Sequence, residues 1–132
     1  MATWAEVREM TRLLGGEPLS DEMVRLEIAD VEGRNAQTVF ALKEVIRPTF
    51  EMLLLKAPLV PLAGLDLAAV LREHGQLLAG SFGFLPTEDG GMLMLTANLP
   101  LAALDTSNPT GLPLFMHVFA GAARHLVGAL AR

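Results

Sequence analysis

The sequence predicts an α+β domain in the order α-β-β-β-α-β-β-α, an antiparallel sheet with helices packed against it. Three observations carry that expectation. Apolar residues recur at helical spacing near both ends of the chain and once in the middle. Between those stretches the period drops to two. The strand-like runs before and after the middle helix are joined by turns too short for parallel crossovers.

The elements follow in order. Thr3-Trp4-Ala5-Glu6 is a capping box, in which the Thr3 hydroxyl can accept from the amide of Glu6 while the Glu6 carboxylate reaches back. Val7, Met10 and Leu14 then recur at helical spacing and Gly15-Gly16 offers a left-handed stop, so a first helix is expected from about Trp4 to Leu14. In Met23 to Asp30 the pattern alternates, with Val24, Leu26 and Ile28 on one side and Arg25 and Glu27 on the other. Gly33-Arg34-Asn35 makes a turn. Thr38 to Ile46 reads as the second strand, Phe40, Leu42 and Ile46 sharing a face and Lys43 opposing them. Arg47-Pro48 breaks it, and Phe50 to Leu55 is the third.

Pro58 and Pro61 are expected to forbid regular structure in a link that ends at Gly64. Asp66 caps a second helix whose apolar side holds Leu67, Val70, Leu71, Leu77 and Leu78, and Gly80 closes it. Ser81 to Leu85 and Met92 to Ala97 form a hairpin around Thr87-Glu88-Asp89-Gly90-Gly91. After a polar loop, Asp105 to Thr110, Pro113 sits in the first turn of a last helix running to about Ala131. Nothing repeats and no linker divides the chain, so residues 1–132 are expected to form one domain.

Composition bounds the function. Of 132 residues 52% are apolar and 19% charged, against about 25% charged in an average globular protein. Mean hydropathy is +0.41. A small domain has much surface, so this excess implies a homo-oligomer or a standing apolar surface for a partner. Net charge is −5, with 10 Lys+Arg against 15 Asp+Glu, which argues against direct nucleic-acid binding and suits a neutral or basic protein partner. No cysteine is present, which removes disulfides and thiolate chemistry. The first residues lack a secretion-signal pattern and the apolar stretch from Leu112 is interrupted by His117, Arg124 and His125. A cytoplasmic protein with no membrane span is therefore expected.

The chemical motifs are weak. His117 and His125 lie eight residues apart on one helix, about 12 Å and ~80° from each other, and cannot share an ion. His74 lies on another helix, so no metal and no cofactor is expected. Ala79-Gly80-Ser81-Phe82-Gly83 resembles a nucleophile elbow, and Ser81, Asp105 and His125 follow in hydrolase order. An elbow needs a strand entering a helix, whereas Ser81 stands where a helix gives way to a strand. Gly80 as a helix stop is the plainer reading, and no catalytic residue is assigned. No phosphate-binding glycine loop occurs, and six Phe with one Trp are too few for a base-stacking platform.

Two apolar features exceed what one core needs. Met92-Leu93-Met94-Leu95 is apolar on both faces, so either the domain covers both or a methionine face serves varied partners. On the last helix Phe115, Phe119, Ala122, Leu126 and Leu130 form a core stripe. His117, Gly121, Arg124 and Gly128 line another side, either a solvated edge or a contact.

The element order resembles that of the YbjN-like proteins and of the class I (CesT-like) chaperones of type III secretion. The local likeness runs from the helix after Asp66, through Gly80-Ser81-Phe82-Gly83-Phe84, an acidic-Gly turn, Met92-Leu93-Met94-Leu95 and Asn98-Leu99-Pro100-Leu101, to a Leu104-Asp105 step and the closing helix. The resemblance implies a homodimeric, acidic, non-enzymatic protein that holds a segment of a partner, with links to secretion, regulation or stress response. It also implies contacts from the second helix and the following hairpin, with Leu67, Val70, Leu71, Phe84, Met92 and Met94 as dimer or partner candidates. The final helix is more apolar than in the usual secretion chaperone, which points to a general protein-binding role. An alternative of another class is a small-ligand sensor of profilin or roadblock type, with a pocket between helix and sheet.

Overall fold

The computed structural model describes residues 2–47, 50–75, 77, 80–104 and 110–131. Its elements are α1 (Trp4–Leu13), β1 (Glu17–Ser20), β2 (Met23–Ile28), β3 (Gln37–Arg47), β4 (Phe50–Pro61), α2 (Leu67–His74), β5 (Ser81–Leu85), β6 (Met92–Pro100), a 3-10 turn (Leu101–Ala103) and α3 (Gly111–Leu130). The α+β class and the antiparallel sheet stand as predicted. Among the described residues the sheet has six strands, not five, in the order β1-β2-β3-β4-β6-β5, every pairing antiparallel. The helices pack into one face.

The capping box forms as read: the Glu6 amide donates to Thr3 Oγ1 at 3.3 Å, and the Thr3 amide donates to Glu6 Oε1 at 3.2 Å. Trp4 Nε1 donates to the Asp21 carbonyl at 2.6 Å, pinning α1 to the β1–β2 turn. The unforeseen strand β1 is four exposed residues paired with β2 through Glu17↔Arg25 and Pro18↔Val24. It is too short to show a period, and its Pro18 reads as a turn.

The prolines in β4 correct another expectation. The strand does not stop at Leu55 but continues through Pro58 to Pro61, because the ladder to β3 ends at Phe40↔Lys56 while pairing to β6 continues. The Pro58 carbonyl is taken by the Gln37 side-chain amide at 3.2 Å, so the side that lacks an N–H is the side where the ladder has ended. A register shift follows between Pro58 and Val60. Proline inside a sheet is tolerated at such sites. The predicted break at Arg47-Pro48 falls partly outside the described residues, since Pro48 is not among them.

Asp66 caps α2 by accepting from the Ala68 amide at 3.0 Å, but the helix ends at His74 with Gly75 as its cap, short of Gly80. Leu77 is half-buried; Leu78 lies outside the described residues. Gly80 has φ +85, and a Cβ there would strike the Thr96 carbonyl, so its glycine serves the close entry of β5 onto β6 instead of ending a helix. The hairpin turn falls where predicted. Residues 105–109 of the predicted polar loop lie outside the described residues.

In α3 the core stripe is Leu112, Met116, Phe119, Ala120, Ala123, Leu126 and Leu130, with predicted members Phe115 and Ala122 only half-buried. The stripe is thus turned toward the small residues Ala120 and Ala123, which allow α3 to sit closely on β3 and β4. These side chains join Trp4 and Val7 of α1, Val70 of α2, and Val24, Leu26, Val39, Ala41, Leu53, Leu55, Leu93 and Leu95 of the sheet in one core. Burying Phe119 fully contributes about 3 kcal/mol.

Arg124, grouped by sequence with a solvated or contact side, has a structural task. Its Nε donates to the Asn35 carbonyl and its Nη2 to the Ile28 carbonyl, both at 2.7 Å, tying α3 to the β2–β3 turn. In that turn the Asp30 carboxylate accepts from the amides of Glu32 and Arg34 and from the Asn35 side chain. These bonds, the Arg34 amide foremost, and the nearby Arg124 charge hold the Asp30 carboxyl below the usual carboxylate range.

Candidate functional site

Strand alternation assigns each side chain to one of two sheet faces. On the helix-covered face lie Val39 and Ala41 of β3, Leu53, Leu55 and Ala57 of β4, and Leu93, Leu95 and Ala97 of β6. Among the described residues no helix covers the opposite face. There Met23, Phe40, Leu42 and Leu54 are half-exposed, while Met52 and Met94 are buried by their neighbours without joining the main core. The Thr38 to Ile46 pattern had grouped Phe40 and Leu42 correctly, but the fully buried face of β3 is the other one, carrying Val39 and Ala41.

Cross-strand pairing orders this open face into rows. Met23, Leu42, Leu54 and Asn98 are mutual partners across β2, β3, β4 and β6. On one side of that row lie Arg25, Phe40, Lys56, Thr96 and Ser81; on the other lie Glu44, Met52 and Pro100. A shallow depression of about 260 Å³ is lined by Met23, Phe40, Leu42, Lys56, Leu85 and Met94. Lys56 is its one charged side chain, and among the described residues no carboxylate of the chain pairs with it. Arg25, by contrast, is neutralised by Glu27 at 3.0 Å.

The six candidate residues fall in three places. Leu67 and Leu71 of α2 are 70% and 65% exposed, and Phe84, 60% exposed, stands on the helix side of the edge strand β5, which α2 meets through the His74 and Phe82 rings. Val70, one step around α2, is buried in the core and anchors the helix that presents Leu67 and Leu71. Met92 and Met94 lie on the open face, the first half-buried and the second 5% exposed. Lys56, Met23 and Leu85 were not singled out from sequence. The available signal was that Val39 to Leu42 is apolar on both faces, as Met92 to Leu95 is.

The two sheet edges differ. β1 is short and irregular and carries Glu17 and Pro18, features that discourage strand addition. β5, Ser81-Phe82-Gly83-Phe84-Leu85, contains no charge and no proline and pairs with β6 without a register shift. Its outer edge offers backbone donors and acceptors beside exposed Phe84.

The groups weighed for catalysis lie apart. Ser81 Oγ is 3.4 Å from Thr96 Oγ1, at the start of an edge strand on the open face. His125 belongs to α3 on the other side of the sheet, where its Nε2 is 3.9 Å from Glu73 Oε2. Asp105 lies outside the described residues. The His74 ring sits 5.6 Å from that of Phe82, and His117 is exposed on α3. Among the described residues no group of three or more His, Asp or Glu could hold a metal ion, and no helix is long and apolar enough to cross a membrane. A cleft of about 260 Å³ between α1 and the β1–β2 hairpin is lined by Arg8, Glu9, Thr11, Arg12 and Val24 among others, and there Arg12 pairs with Glu9. No family model and no curated protein matches this chain.

Proposed function

We propose that this chain is a non-enzymatic, homodimeric protein-binding protein that holds a segment of a partner, in the manner of the YbjN-like and CesT-like chaperones it resembles. The observation that carries the reading is the β5 edge, free of charge and proline, with Phe84 exposed on it and Leu67 and Leu71 exposed on α2. An extended segment adds to β5 through backbone hydrogen bonds, and its alternate side chains rest on those three apolar groups. Strand addition of this kind reads shape and apolar pattern more than charge, and suits a neutral or basic segment in an acidic protein of net charge −5.

The test compares capture of cytoplasmic proteins by the wild type, Leu71→Asp, and a Phe84→Pro variant that removes a backbone donor from β5. The reading expects a discrete partner with the wild type and at least a tenfold loss with either variant. Equal recovery by all three would remove the β5 edge as the binding site.

A further inference from the structure

We propose that the open face of the sheet is the surface on which a second copy of this chain docks, face to face, about a two-fold axis along the row Met23–Leu42–Leu54–Asn98. The proposal rests on the homodimeric part of the reading above and assigns it a surface.

A two-fold contact must be complementary to itself, and the row structure of this face is. Lys56 lies two residues to one side of the central row and Glu44 two residues to the other. The Lys56 and Glu44 rows are therefore about 13 Å apart along the strands. Rotation about the central row places the Lys56 row of one copy over the Glu44 row of the other, twice per dimer. Leu42 and Leu54 meet their own counterparts at the centre. Packed sheets lie about 10 Å apart, a gap that a lysine and a glutamate side chain span together.

Both charges are available. Glu44 is exposed and Lys56 half-exposed, and among the described residues neither has an ion-pair partner in its own chain. The apolar side chains in and between their rows, Phe40, Leu42 and Leu54, lie on the sheet face that α1, α2 and α3 leave uncovered. An amphipathic helix or an unrelated protein could fill an apolar depression, but only a second copy is bound to bring a carboxylate to Lys56 and a cation to Glu44 at once. Charge complementarity of this kind sets register and orientation.

The experiment is a charge swap read by sedimentation equilibrium. Lys56→Glu alone sets a carboxylate against each Glu44 row and Glu44→Lys alone sets a cation against each Lys56 row, so each is expected to raise the dimer dissociation constant at least tenfold. The double variant Lys56→Glu/Glu44→Lys, and an equimolar mixture of the two single variants, are expected to return to within about threefold of wild type. The mixture guards against misfolding, since an unfolded variant could not rescue its complement. A dimer unaffected by either single variant overturns the face assignment and leaves homodimerisation standing. Single variants that dissociate without rescue by the swap overturn it also. A wild type that is monomeric throughout removes the homodimer itself, and with it this proposal, but leaves partner capture at β5 to its own test.

Discussion

At the residue scale, the fold depends on a few side chains that satisfy backbone groups far away in sequence. Arg124 donates to two carbonyls, Ile28 and Asn35, that lie at opposite ends of the β2–β3 connection. Replacing it by Met keeps the aliphatic stem and removes both donors. The expected loss is about 1–3 kcal/mol in urea unfolding, and Arg124→Lys should recover little, because an ammonium lacks the planar fork. Asp30 in the same turn predicts a pH dependence. Its folded-state pKa is depressed, first by the Arg34 amide, then by Asn35, the Glu32 amide and Arg124. Its contribution is therefore present above the unfolded-state value and is lost as pH falls through the folded one. Urea midpoints between pH 7 and pH 3 should decline more for the wild type than for Asp30→Asn, the difference closing at the acid end. None of this was legible in the sequence beyond a turn at Gly33-Arg34-Asn35, because which distant carbonyl an arginine reaches is a tertiary fact. The capping box, whose partners are three residues apart, was legible in full.

At the element scale, the readable features were those with local causes. Alternation in Met23 to Ile28 located β2 to the residue at its start, and the Gly90-Gly91 turn located the β5–β6 hairpin. Gly91 is doubly constrained: φ is +107, and a Cβ would collide with the Phe84 ring. Gly91→Ala is expected to cost about 1–3 kcal/mol and to displace Phe84, which loss of hairpin amide protection in hydrogen exchange would report. β4 was misread because proline was taken as a property of the residue alone. Its cost depends on which neighbour the missing N–H faces, and here the β3 ladder ends before Pro58 while Gln37 takes the carbonyl. Gln37→Ala should leave that carbonyl unpaired and lower stability by about 1 kcal/mol, whereas Gln37→Glu supplies no donor and should do no better. β1 escaped notice for the opposite reason: four exposed residues hold no pattern, and only pairing with β2 makes them a strand.

At the scale of the whole molecule, the composition had implied more apolar surface than one core can hide, and the structure places that surface. Part lies on the open face around Phe40, Leu42 and Leu54; part is Phe84 on β5 with Leu67 and Leu71 on α2; and Leu13, Ile46, Leu114 and Val118 add exposed apolar surface elsewhere. The second set was named, together with Val70, Met92 and Met94, through the resemblance to the YbjN-like and CesT-like proteins. The sequence could not say that Val70 faces inward or that Met94 is covered, since both depend on what packs above them. That difference makes the substitutions diagnostic. Leu71→Asp removes an exposed side chain and should shift stability by no more than about 0.5 kcal/mol. Met94→Asp places a carboxylate at a 5%-exposed position beside Phe40 and Leu85 and should cost several times that. A loss of binding in Leu71→Asp therefore reports on the surface, not on folding.

The most direct measurement is the solution mass of the wild-type chain by sedimentation equilibrium across micromolar concentrations. A homodimeric binding protein predicts a species of twice the 14.1 kDa of one chain, converted toward single chains by Lys56→Glu. A wild type that sediments as a single chain at every concentration would contradict the account.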